Sequence, residues 1–161
     1  MKRITIFLLL LFPITSLACS FARVVEEFSA TEERTIIPDT PNFTVTSVYR
    51  GTKGSIGDCS DAGSIRLTVS PEPKKETGYI FSISEGAFED QLFDPAPIIR
   101  IKEYTEEGEY SFIWFDGNTI EQEPINITIK IVAVSRDGGH SEPQFVKVSH
   151  PGVKKPWWRF W

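Results

Sequence analysis

Two cysteines and two histidines are the soft ligands and candidate nucleophiles of this 161-residue chain: Cys19, Cys59, His140 and His150. Neither histidine has a companion at a metal-ligand spacing, so the four do not compose a zinc motif. No Gly-x-Ser-x-Gly elbow and no local Cys–His context is present to activate a nucleophile. Glu106, Glu107 and Glu109 are the densest carboxylates, but they surround Gly108 and read as a solvated turn rather than an acid–base pair. No glycine-rich loop precedes a helix, which removes the usual phosphate cradle. The inventory therefore points to no catalytic group, no metal and no cofactor. An enzyme whose site is not readable from these residues is the alternative, and a deep pocket holding His140 or a carboxylate pair would favour it.

What the cysteines can do depends on compartment. Lys2 and Arg3 precede an apolar run, Ile6–Phe12, which Pro13 breaks. Ser16 and Ala18 then supply the small residues of a cleavage site, so residues 1–18 read as a secretory signal peptide and the mature chain begins near Cys19. The run is shorter than the about 20 residues a membrane-spanning helix needs. In an oxidising compartment, periplasmic or secreted, Cys19 and Cys59 most simply form one disulfide. It would close a loop of about 40 residues and contribute roughly 4 kcal/mol in the chain-entropy view. The rival is a lipid-modified Cys19 anchored at the outer membrane, because Thr15–Cys19 passes a loose lipoprotein pattern. That rival lacks the large aliphatic residue usual three positions earlier and would leave Cys59 unpaired. Asn42-Phe43-Thr44 and Asn126-Ile127-Thr128 fit the glycosylation pattern and read as chance matches.

Charge narrows the partners. Removing Lys2 and Arg3 takes the formal net charge from −5 to −7, and setting aside Lys154, Lys155 and Arg159 leaves residues 19–152 at −10. Such a body repels phosphate backbones, which argues against nucleic acid. Residues 154–161, Lys-Lys-Pro-Trp-Trp-Arg-Phe-Trp, have the opposite character. Trp157, Trp158, Arg159, Phe160 and Trp161 suit a partner groove or, with the lysines, a membrane surface. They suit equally a fold-back over an apolar edge of the domain. Pro151, Gly152 and Pro156 argue that such a fold-back would be irregular.

The elements that must position these residues are strands. Residues 43–48, 65–69, 78–83, 97–101, 110–115, 125–134 and 144–148 carry β-branched and apolar residues, most in period-two alternation. Tyr110–Phe115 is apolar on both sides, as a central strand would be. Asp137-Gly138-Gly139 suits a hairpin between the last two strands. Earlier, Phe21, Val24, Val25 and Phe28 follow the i, i+3, i+4, i+7 spacing of a short helix. About seven strands with regular turns predict an all-β, two-sheet antiparallel sandwich. Between the third and fourth strands Phe88, Leu92 and Phe93 stand among acids. Phe88 and Phe93 either contact a partner or cap the core.

The last two strands, Ile129–Val134 and Phe145–Val148, joined through Asp137–Pro143, resemble the close of a fibronectin type III domain. Pro38–Val45 resembles that family's first strand and Gly78–Ile83 its third, so the likeness covers residues 38–151. Two positions depart from it: Val69-Ser70-Pro71 stands where the family has a core Trp, and Ile127 where a Tyr forms the corner. The wider immunoglobulin-like sandwich is the fallback. The resemblance implies a binding or spacing module without chemistry. The expected organisation is a signal peptide at 1–18, a lead-in at 19–37, a sandwich at 38–151 and a basic aromatic tail at 152–161. The expected role is an exported, non-catalytic module whose partner is an unknown protein or envelope component. The alternative is a membrane-surface protein acting through the tail or a lipidated Cys19.

Overall fold

Alternation of apolar and polar residues suits a strand with one face on a core and the other in water. The computed structural model describes residues 24–52, 59–73, 75–116 and 122–153. Among them the regular elements are all strands: β1 (Val25–Glu27), β2 (Phe43–Tyr49), β3 (Ala62–Val69), β4 (Thr77–Glu85), β5 (Ile98–Arg100), β6 (Glu109–Phe115), β7 (Ile125–Ser135) and β8 (Gln144–His150). They form two antiparallel sheets, a five-stranded one in the order β1-β5-β4-β7-β8 and a three-stranded one in the order β2-β3-β6. The chain is a two-sheet β-sandwich, and its strands coincide with the seven alternating segments plus one more, β1.

Register decides which residues meet between the sheets. Ile65, Leu67 and Val69 of β3 share one buried apolar cluster with Tyr79 and Phe81 of β4 and Ile127, Ile129 and Ile131 of β7. An aromatic cluster sits inside it. The Phe43 ring meets Tyr79, Phe81 and Tyr110 edge-on at centroid distances of 4.9, 5.4 and 5.5 Å, a geometry that aligns ring edges with ring faces. The backbone of Phe43 is held from the other sheet: its N–H donates to Gln144 Oε1 (2.7 Å) and its carbonyl accepts from Gln144 Nε2 (2.9 Å).

Two expectations fail here. The helix expected around Val24, Val25 and Phe28 is absent; Phe21 lies outside the described residues. Val25–Glu27 instead pairs with β5, Val25 opposite Arg100 and Glu27 opposite Ile98. The helical spacing was incidental. Phe28 is buried because Gly78 offers a gap under its ring, where an added Cβ would lie 2.3 Å from the ring carbon Cδ1, and its N–H donates to Pro97 O. A two-turn helix without a packed face could not compete with that. The second correction concerns β6, which is not central. It pairs with β3 and ends the three-stranded sheet. Tyr110, Phe112 and Trp114 point inward, whereas Ile113 and Phe115 point out and are 37% and 72% exposed. Apolar residues on both faces here mean a core face backed by an exposed apolar patch.

Trp114 reaches its place because Gly63 lies opposite it in register. A Cβ on Gly63 would sit 2.3 Å from the indole Cζ2, inside any real contact distance. Gly63→Ala is therefore expected to lower stability by about 1–3 kcal/mol through overpacking, read as a reduced urea midpoint with an unchanged denaturant slope.

Candidate binding groove

At one end of the sandwich the chain before β2 crosses the β7–β8 loop as a strap, and one aspartate holds the crossing. Ile36 N–H donates to Asp137 Oδ2 at 2.6 Å, and the hydroxyls of Thr35 and Ser135 donate to the same carboxylate. Arg34 N–H donates to Asp137 O (2.7 Å) and Thr31 N–H to Arg136 O (2.9 Å). Ser135 Oγ in turn accepts from Gly139 N–H (2.9 Å). The strap runs so close that a Cβ on Gly138 would lie 2.1 Å from Thr31 O and one on Gly139 1.9 Å from Ile36 O. Gly138 also has a φ of 84°, a left-handed conformation that a side chain resists. The hydroxyls of Ser135 and Thr35, then the backbone amides of Ile36 and Gly139, hold the Asp137 carboxyl well below the usual carboxylate range.

An ion pair shapes the facing wall. Arg100, buried on β5, makes two parallel bonds to Glu72, Nε to Oε1 at 2.8 Å and Nη2 to Oε2 at 2.9 Å. Glu72 lies between Pro71 and Pro73 in the β3–β4 turn, where the Ser70–Pro71 bond is cis. The hydrogen bond from Arg100 lowers the Glu72 pKa, and Glu72 correspondingly raises that of Arg100.

Between strap and turn lies an open groove of about 1040 Å³. The buried lining residues Val69, Tyr79 and Ala133 form its floor. Ile36, Ile37, Pro38, Pro71 and Pro73 rise around it, with Ile37 75% exposed. Glu33, Asp39, Glu76 and Arg136 set charge at its edge. Burial pushes the Tyr79 phenol far above its ordinary pKa, so it stays protonated and is no base. Among the described residues no three His, Cys, Asp or Glu side chains converge as metal ligands. The groove can bury apolar groups and orient them with charges at its lip.

The residues singled out from sequence lie elsewhere. Leu92 is buried in the core. Phe93 meets Phe112 edge-on at 4.7 Å and stacks on Phe81 at 5.9 Å, and Phe88 meets Trp114 edge-on at 5.2 Å. Both aromatics therefore pack against the core. Cys59 lies just before β3 with a φ of 59°. Cys19 and Trp157, Trp158, Arg159, Phe160 and Trp161 lie outside the described residues. His140 is exposed beside the strap crossing, and His150 Nδ1 accepts from Gly152 N–H (3.1 Å).

Sequence reasoning missed a polar cluster at the opposite end of the sandwich. Arg50 Nε and Nη2 donate to the two oxygens of Asp116 at 2.7 and 2.8 Å, with the two side chains 9% and 5% exposed. Gly51 N–H adds a bond of 2.6 Å to Asp116 Oδ2, and Gln122 Nε2 donates to Gly51 O at 2.6 Å and to Asp116 at 3.1 Å. Burial pushes the Asp116 pKa up, but the Arg50 guanidinium, the Gly51 amide and the Trp114 indole outweigh it and hold the carboxyl low.

The fold is thus that of a two-sheet β-sandwich with an open groove at one end. No family model, no curated protein and no solved structure matches this chain.

Two predictions follow from the carboxylates. Asp137→Asn removes the charge that collects the strap's donors, so amides of residues 31–36 should exchange faster with solvent while β7 and β8 keep their protection. Asp116→Asn leaves Arg50 buried without a counter-charge and should cost about 3 kcal/mol at neutral pH. Because Asp116 has a lower pKa folded than unfolded, its stabilisation is present above the unfolded value near 4 and is lost as pH falls through the folded value. The gap in urea midpoint between the parent chain and Asp116→Asn should therefore narrow below pH 4.

Proposed function

We propose that the chain is an exported, non-catalytic binding module of fibronectin III-like build, and that its partner, a protein or another envelope component, seats apolar groups in the groove between strap and β3–β4 turn. The observation that carries this reading is the groove itself: a large apolar-walled opening whose rim is held by the Asp137 carboxylate together with backbone bonds from Thr31 and Arg34. Such a preformed, loop-built site on a rigid sandwich is where binding modules place their contacts.

Strand order supports the family likeness. Taking β2, β3, β4, β6, β7 and β8 as strands A, B, C, E, F and G gives sheets A-B-E and C-F-G. The strand between C and E, β5, pairs with C rather than with E. In that scheme the groove lies where the B–C and F–G loops meet, the end that carries recognition loops in variable domains. Export rests on residues 1–18, which lie outside the described residues. Cys59 is not a free thiol, which supports pairing with Cys19, the chain's other cysteine. The mature protein should then gain two hydrogens in mass on reduction and carry no acyl chain; a lipid increment on Cys19 would overturn that part of the reading.

The binding role is tested by placing a photo-crosslinking amino acid at position 37 or 40 in the groove, or at position 145 on the outer face of β8, in the producing cell. Discrete adducts are expected from 37 and 40 and none from 145, and Asp137→Asn should weaken them. Equal labelling from all three positions would defeat the proposal.

A further inference from the structure

The end of the sandwich opposite the groove carries a second cleft, and the chain itself leads into it. After β8 the backbone of Val153 pairs reciprocally with Gln122, N–H to carbonyl at 3.0 and 2.8 Å. Val153, the last described residue, therefore lies beside Gln122. The cleft there, about 300 Å³, is lined by Phe88, Trp114 and Phe115 on its aromatic side and by Arg50, Asp116 and Gln122 on its polar side. Phe115 is among the most exposed large apolar side chains described.

Three properties of this cleft select its occupant. Charge is the first. Arg50 gives two bonds to Asp116 and a third to the backbone carbonyl of Glu123, and among the described residues no salt bridge reaches the carboxylates of Glu89, Asp90 and Glu123 at the cleft. Apolar character is the second, since Phe115 stands open to solvent at the end of an edge strand. The third is an orphan acceptor. Gln122 is buried, and its amide orientation is fixed because Nε2 must face Gly51 O and Asp116; Oε1 is then left with no donor, a deficit that buried polar groups rarely carry.

We infer that residues 154–161 of the same chain dock in this cleft, their aromatic rings against Phe88, Trp114 and Phe115 and their cations against Glu89, Asp90 and Glu123. Lys154, Lys155 and Arg159 supply the missing positive charge, and three indole N–H groups and the basic side chains supply donors for Gln122. Reach is no obstacle. Eight residues extend over as much as about 26 Å, and the residue before them, Val153, is bonded to Gln122 of the cleft wall. An intramolecular occupant also has an effective concentration far above that of any free peptide.

The test compares backbone amide spectra of the mature chain with those of a chain stopped after Val153. Loss of residues 154–161 should shift the amides of Phe88, Trp114, Phe115, Gln122 and Glu123 and leave those of the strap unmoved. The synthetic peptide Lys-Lys-Pro-Trp-Trp-Arg-Phe-Trp added to the truncated chain should restore the shifts, less well at high salt. A full-length chain with Trp157→Ser, Trp158→Ser and Trp161→Ser should reproduce the truncated spectrum, which covers the case of a truncated chain that folds poorly. Identical spectra with and without the segment would overturn the inference. So would shifts that appear only at concentrations where the chain dimerises, which would assign the cleft to a second copy. Tight binding of the full-length chain to vesicles of phosphatidylglycerol and phosphatidylethanolamine, with no change at the cleft on truncation, would assign the segment to a membrane surface.

Discussion

The packing of one ring between the sheets is the constraint on which the rest of this sandwich depends. Phe43 comes from the first residue of β2 and lies edge-on against rings from β4 and β6. Because β4 belongs to the other sheet, this contact fixes how far apart the sheets stand and how they are rotated. The chain immediately before Phe43 must then leave the core at a set point, and that point is the start of the groove. Displacing the ring would move strap, floor and turn together. The groove is in this sense a by-product of core packing rather than an independent feature of its loops.

Buried charge is distributed with the same economy. Arg100–Glu72 lies at the groove end and Arg50–Asp116 at the other. Neither pair is needed to gain net stability, since removing ions from water offsets much of their attraction. Each ties together distant parts of the chain, the β3–β4 turn to β5 through Glu72 and the residue after β2 to the residue after β6 through Arg50. Geometry that demands two parallel bonds from a planar guanidinium leaves a loop few alternative positions. The pairs are best understood as devices for loop register. Arg136–Glu76, exposed on both sides, has no comparable hold.

The strands were readable because their signal is local. Ile65–Val69 and Ile125–Ile131 alternate within their own residues, and burial follows the alternation except at Thr128, which is buried as well. What could not be read depends on partners far away in sequence. Phe28 looked helical by spacing, yet its place was decided by the missing side chain of Gly78. Asp137 looked like a turn residue and is one, but the donors that give it a second role lie about a hundred positions earlier. Tyr110–Phe115 could not reveal that it ends its sheet, because exposure of Ile113 and Phe115 depends on which strands stop short of them. The groove has no sequence signal of its own; its floor residues are ordinary core residues and its rim residues ordinary turn residues.

The bonds between Gln144 and Phe43 have a consequence for association. The N–H and carbonyl of Phe43 point away from β3, the arrangement that lets a sheet recruit a further strand. Gln144 presents an amide to them, one acceptor and one donor at the spacing of a peptide group, and so stands in for the strand that is not there. The ladder ends on a side chain of the molecule itself. At that position the sheet offers an incoming chain nothing to template upon, and growth by edge-to-edge addition is stopped at the residue where the two sheets are most firmly joined.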